Sequence, residues 1–289
     1  MTRRLLLLLA FLLGGAAAGK PMQWSDLLSR PQPKPDSTIA YGPDLLQHVD
    51  LWLPSGAGMH PVVLMVHGGC WQTDVAKADI MNWISDDLRK RGIAVWNIEY
   101  RGVDRPGGGY PGTFLDVARA SDLLREAGPK DHLRTDRVVA VGHSAGGHLA
   151  LWLAARGGLS KESPLHSAHP IKLAAAISLG GLPDLRAATI PPGDTCEAEP
   201  VHKLTGAPSS ARPDVYADTS PAQMVAQNIP VILVNATLDH IAPPTFAEAY
   251  STRRPVRRVT IPDEGHVELI TPDTKAWAAT LELIQIYLK

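Results

Sequence analysis

A chain of 289 residues, 45% of them hydrophobic, can bury a substantial core as one large α/β domain or two small ones. Its 28 Lys and Arg against 29 Asp and Glu leave a formal charge of −1, with no basic stripe and no acidic tail. That balance excludes the electrostatic footprint of a nucleic-acid binder or of a receptor for a charged polymer.

The N-terminus reads as a leader. Arg3 and Arg4 precede a wholly apolar stretch from Leu5 to Leu13, and Ala16-Ala17-Ala18 offers small residues before Gly19. This is the layout of a secretory signal peptide over residues 1–18, and the stretch is too short for a spanning helix. Cleavage after Ala18 would leave no stable membrane anchor; the alternative is an uncleaved one. A bacterial signal would make the chain periplasmic or secreted. Residues 19–36, rich in proline and polar side chains, are expected to lie over the surface, ahead of a single domain over 37–289.

Short apolar runs then alternate with helical patterns. Gln47–Leu53 alternates like a half-buried strand, while Val62–Val66, Ile93–Ile98, Val138–Val141, Leu173–Leu179 and Val231–Val234 are continuous runs suited to strands covered on both faces. Arg257–Ile261 is a plausible last strand. Met81, Ile84 and Leu88 share one helical face, as do Trp277, Leu281, Ile284 and Leu288. The alternation predicts a mostly parallel sheet with helices on both sides. Residues 181–228 break the rhythm with several prolines and little helical periodicity, so a lid or pocket wall is expected there.

The chemistry gathers where the runs end. Val138–Val141 leads into Gly142-His143-Ser144-Ala145-Gly146 and then an apolar helix, the context in which G-x-S-x-G forms a strained turn that exposes a nucleophilic serine. His67-Gly68-Gly69-Cys70-Trp71 follows Val62–Val66 and is similar to the HGGG-type oxyanion loop, with donors expected from Gly69 or Cys70 together with Ala145. Gly68 belongs to that loop, and His67 is expected to brace it. Trp71 reads equally as pocket wall or core. Asp239 stands just past the Val231 run and His266 past the last strand, giving the chain order Ser, Asp, His. Asp263 is the reserve acid, His148 a packing residue, and His240 a bystander beside Asp239. Gly107-Gly108-Gly109 lacks the helix start and Lys-Ser/Thr of a phosphate loop.

The blocks HGGCW, NIEYR, GHSAGGHLA, TLDHIAP and EGH resemble successive motifs of the α/β-hydrolase superfamily, closest to its kynurenine formamidase and feruloyl/acetyl-xylan esterase-like (BD-FAE-like) branch. The similarity runs from about Tyr41 to the C-terminus. It implies an eight-stranded sheet with one reversed strand, no cofactor, and hydrolysis of a small-molecule ester or activated amide. It puts the nucleophile on Ser144, the acid on Asp239, the base on His266 and the oxyanion loop on His67–Trp71. Cys70 stands where many relatives carry a third glycine, so the φ > 0 freedom of glycine is lost there. Ester hydrolysis through an acyl-enzyme is the leading expectation, with arylformamide hydrolysis as the alternative and a silent hydrolase-fold binding protein as a third. Cys70 and Cys196 are the only cysteines. An exported chain permits one disulfide between them, which would fasten the loop to the insertion, and no spacing suits zinc.

Overall fold

Each continuous apolar run becomes a strand of one eight-stranded sheet. The computed structural model describes residues 20–190, 196–226 and 228–289, so the expected signal peptide lies outside the described residues. The strands are β1 (Ser37–Ala40), β2 (His48–Trp52), β3 (His60–Val66), β4 (Ala94–Ile98), β5 (Leu133–His143), β6 (Leu173–Leu179), β7 (Val231–Ala236) and β8 (Arg257–Ile261). Their order is β1-β2-β4-β3-β5-β6-β7-β8, and only β2 runs against the others.

The period of two in a strand divides each run between two cores. Val62, Leu64 and Val66 face a layer formed with Phe114 and Val117 of α3 (Gly112–Ala127) and Leu149 and Trp152 of α4 (Ala145–Ala155). Val63 and Met65 face the opposite layer, with Leu27 of α1 (Trp24–Leu28), Ile84 and Leu88 of α2 (Asn82–Lys90), and Trp277 and Ile284 of α8 (Lys275–Leu288). Central strands buried on both faces cannot alternate apolar with polar, which is why they read as unbroken runs. Phe246 and Tyr250 of α7 (Pro244–Ser251) join the first layer.

Three expectations need correction. β1 (STIA) went unseen because it is a largely exposed edge strand with no apolar run to mark it. The insertion over 181–228 holds two short helices, α5 (Leu185–Ala188) and α6 (Ala198–Thr205), too brief to show a period. Asp184 caps α5 by accepting the Arg186 and Ala187 N–H groups. Finally, the segment before Asp36 does more than lie on the surface. Leu27 is fully buried, and the Trp83 indole N–H and Asn82 amide donate to Pro31 O and Pro33 O, each at 3.1 Å.

Candidate active site

Ser144 sits at the turn from β5 into α4 with φ 54° and ψ −122°. That is a left-handed backbone for a residue with a Cβ, and it is held by the Ser144 N–H donating to Leu179 O at 2.8 Å. The tight approach of α4 to β3 explains the flanking glycine: a Cβ on Gly146 would lie 2.1 Å from Val66 O. Gly68 meets the turn from the other side, where a Cβ would come within 2.9 Å of the Ser144 Cβ. The His67–Trp71 loop and the elbow therefore touch through backbone that tolerates no side chain.

The loop itself is strained. Gly69, Cys70 and Trp71 have φ of 99°, 52° and 57° in succession. Cys70 thus adopts the conformation that a glycine would take freely, at a cost of about 1 kcal/mol or more for each non-glycine residue. A buried network holds it there. His67 Nε2 donates to Glu99 Oε1 at 3.0 Å, and Nδ1 lies 2.7 Å from Gly68 O. Both partners are acceptors, and the His67 ring and the Glu99 carboxylate pair with both side chains buried. Glu99 also accepts the N–H groups of Ala78 and Tyr100, and the Tyr100 ring stacks on His67 at 4.3 Å. Burial opposes ionisation of Glu99, but the His67 charge and these hydrogen bonds hold its carboxyl below the usual range.

Cys70 and Cys196 are bonded, with an S–S distance of 2.06 Å and Cα atoms 5.2 Å apart, and this joins the loop to the insertion. Trp71 turns away into the core. It is fully buried, and its indole N–H donates to His148 Nδ1 at 3.2 Å, so its pocket-wall reading is corrected to packing. His148 Nε2–H donates in turn to Thr219 O at 2.8 Å, which fixes the neutral tautomer; burial pulls its pKa down to about 4.

Asp239 and His266 arrive at the same rim from the ends of β7 and β8. His266 Nδ1 and Asp239 Oδ2 are 2.7 Å apart, and Asp239 Oδ1 accepts the Ile241 and Ala242 N–H groups at 2.9 and 2.7 Å. The carboxylate is buried and fully engaged as an acceptor, so the ring proton stays on Nδ1 and points at Asp239, leaving Nε2 as the bare nitrogen of the ring. Asp263, the reserve acid, is exposed, and His266 is held by Asp239 instead; His240 is also exposed.

Ser144 and His266 open onto one cavity of about 260 Å³, lined also by Gly69, Cys70 and His143. Ala145, the first residue of α4, follows Ser144 directly and is buried. The remaining walls are apolar, and two of them, Trp24 and Leu28, come from α1. Among the described residues, none from 181–228 lines this cavity, so the wall expected from the insertion is supplied by the N-terminal segment.

His143 is the other residue the motif reading left without a role. Its ring lies 4.3 Å from that of His266, and its Nε2–H donates to His266 O at 3.1 Å. Burial, then electrostatic repulsion between the two neighbouring imidazoles, depress its pKa well below the ordinary value, so it is neutral. Its place inside G-x-S-x-G was a usable signal, as was Glu99, an acid closing an apolar run. Trp24 had none, because a five-residue helix shows no period.

Among the described residues there is no group of three or more His, Cys, Asp or Glu side chains arranged to hold a metal ion. The strand order, the single reversed strand and the serine elbow define the α/β-hydrolase fold. Solved structures share it: a truncated carbohydrate esterase from gut microbiota superposes with a TM-score of 0.72 at 18% identity, over 89% of this chain and 98% of that one. Esterase B from Lactobacillus Rhamnosis (HN001) gives 0.72 at 19% identity, over 89% and 87%. The family model BD-FAE matches residues 49–253, and the chain belongs to that family. The match takes in Ser144 and Asp239 and ends before His266. Esterase LipC of Mycobacterium tuberculosis (strain ATCC 25618 / H37Rv) is 27% identical over 245 residues, 80% of this chain, which spans 57% of the length of LipC.

Proposed function

We propose that this protein is a carboxylic ester hydrolase working through an acyl-enzyme on Ser144. His266 takes the Ser144 proton at Nε2 as Oγ attacks the ester carbonyl, and Asp239 steadies the imidazolium through Nδ1. Backbone N–H groups of Gly69 or Cys70 and of Ala145 hold the oxyanion, each such donor being worth about 3 kcal/mol in the transition state. His266 returns its proton to the leaving alcohol, then activates the water that releases the acid and restores Ser144.

The observation that carries this reading is the 2.7 Å contact between His266 Nδ1 and Asp239 in the same cavity as the strained Ser144 elbow. Membership of BD-FAE and the esterase names of LipC and Esterase B support esters as substrates. The formamide alternative rests on the HGG-x-W loop alone, whereas the relatives named above are esterases. A silent binding protein would have no use for three intact groups at one rim.

Hydrolysis of p-nitrophenyl acetate, lost in Ser144→Ala, is the expected result; retention of most of the rate in that variant would overturn the reading. Export is part of the same proposal. It is supported by the Arg3-Arg4, Leu5–Leu13 and Ala16–Ala18 leader and by the Cys70–Cys196 bond, which suits an oxidising compartment. Among the described residues no helix is long and apolar enough to cross a membrane. Detection of the chain in a periplasmic or culture fraction with its N-terminus at Gly19 would support export; recovery of the uncleaved chain from cytosol would refute it.

A further inference from the structure

The cavity beside Ser144 is built from two unrelated parts of the chain. Val75, Ala76 and Ile80 follow the oxyanion loop and Ile241 follows Asp239, all within the stretch matched by the family model. Trp24 and Leu28 lie before that stretch begins, on a five-residue helix. The Trp24 ring meets His266 and His143 edge-on, at centroid distances of 6.3 and 6.2 Å.

This wall is fastened on both sides. Met22 N–H donates to Glu268 Oε1 at 2.6 Å, while Glu268 Oε2 accepts the Gly265 N–H at 3.1 Å, so one carboxylate ties the segment to the turn that carries His266. Leu27 is sunk in the core, and the Trp83 and Asn82 side chains hold the chain beyond it. Leu28 and Val75 are 53% and 60% exposed, so they make an apolar rim at the mouth. Among the described residues no Asp, Glu, Lys or Arg lines the cavity, and the extra titratable ring there, His143, is held neutral. A charged group seated there would be desolvated without a partner, whereas an apolar one would meet matching walls.

We infer that Trp24 and Leu28 are specificity-determining residues, and that the N-terminal segment selects esters carrying an uncharged apolar group. The inference rests on the ester-hydrolase reading. Leu28→Ala and Trp24→Ala remove the two walls, and Trp24→Phe keeps a ring against His266 should the alanine variant fold poorly. In one arm the acyl chain varies across p-nitrophenyl acetate, butyrate, octanoate and succinate. In the other the alcohol varies between methyl and benzyl acetate.

The wild type should prefer butyrate over the charged succinate by at least about tenfold in kcat/KM. Trp24→Ala should lower the apolar-over-acetyl or the benzyl-over-methyl ratio by about tenfold, mainly through KM, with Leu28→Ala smaller and Trp24→Phe smallest. The arm that responds tells which side of the ester occupies the cavity. Unchanged ratios in both arms, with activity still abolished by Ser144→Ala, would overturn the inference alone. Activity that survives Ser144→Ala would overturn the reading beneath it.

Discussion

The strand ends and the N-terminal segment face each other across one cavity, yet they are put there by different physics. Ser144, the His67 loop, Asp239 and His266 each follow a strand that is buried or paired along its length, so the sheet order alone brings them to one rim. Trp24 and Leu28 belong to no sheet. Their position depends on Leu27 in the core, on carbonyls held by Trp83 and Asn82, and on Glu268. The groups proposed to do the chemistry are fixed by cooperative secondary structure, and those proposed to meet the substrate's apolar part are fixed by a few long-range contacts. The two regions should therefore respond differently to mutation.

The largest effect belongs to the rim. Ser144→Ala or His266→Ala should lower kcat by on the order of 10⁵ to 10⁶, read with p-nitrophenyl acetate, with little change in the urea midpoint. Asp239→Asn should follow with about a 10⁴-fold loss, because the amide disfavours the tautomer that keeps Nε2 free. An Asp239→Asn variant within tenfold of wild type would detach that carboxylate from the reaction.

Glu99→Gln attacks the support rather than the reacting groups. It removes the buried carboxylate that pairs with His67 and accepts the Ala78 and Tyr100 N–H groups, so a stability loss of about 3 kcal/mol is expected in urea unfolding. Acid tests the same buried layer. His148 titrates at about 4 when folded against 6.5 in its ordinary state, so the unfolded chain takes up a proton first as pH falls. The stability present above pH 6.5 is then lost between 6.5 and about 4, amounting to about 3 kcal/mol from this ring. Urea curves at pH 7 and pH 4 should converge by that amount when wild type is compared with His148→Gln, and parallel losses would contradict it. Smallest of all, Leu28→Ala should shift stability by no more than about 0.5 kcal/mol, since its side chain is half exposed. A large loss there would erase the distinction between the two regions.

The same distinction governs what could be read without coordinates. Buried parallel strands announce themselves as apolar runs, and the elbow needs glycine where backbones collide, so Val138–Val141 followed by Gly142–Gly146 marked the turn that carries Ser144, the proposed nucleophile. Asp239 was legible because β7 ends just before it. β1 was not, because an exposed edge strand carries no apolar signature. The exchange of walls, α1 in place of the insertion, was illegible for a further reason. Nothing local in Pro21–Leu28 says that Glu268, hundreds of residues away, will accept the Met22 N–H. Two cysteines allow a single pairing, but whether Cys70 and Cys196 come within bonding distance needed the fold, as did the left-handed φ at Cys70 and Trp71.

The most direct test of the rim is covalent. A fluorophosphonate should place one adduct per chain on the peptide that holds Ser144, slowly in Asp239→Asn and not at all in His266→Ala. An unlabelled wild-type chain, or an adduct on any other residue, would contradict a hydroxyl activated by that histidine and carboxylate.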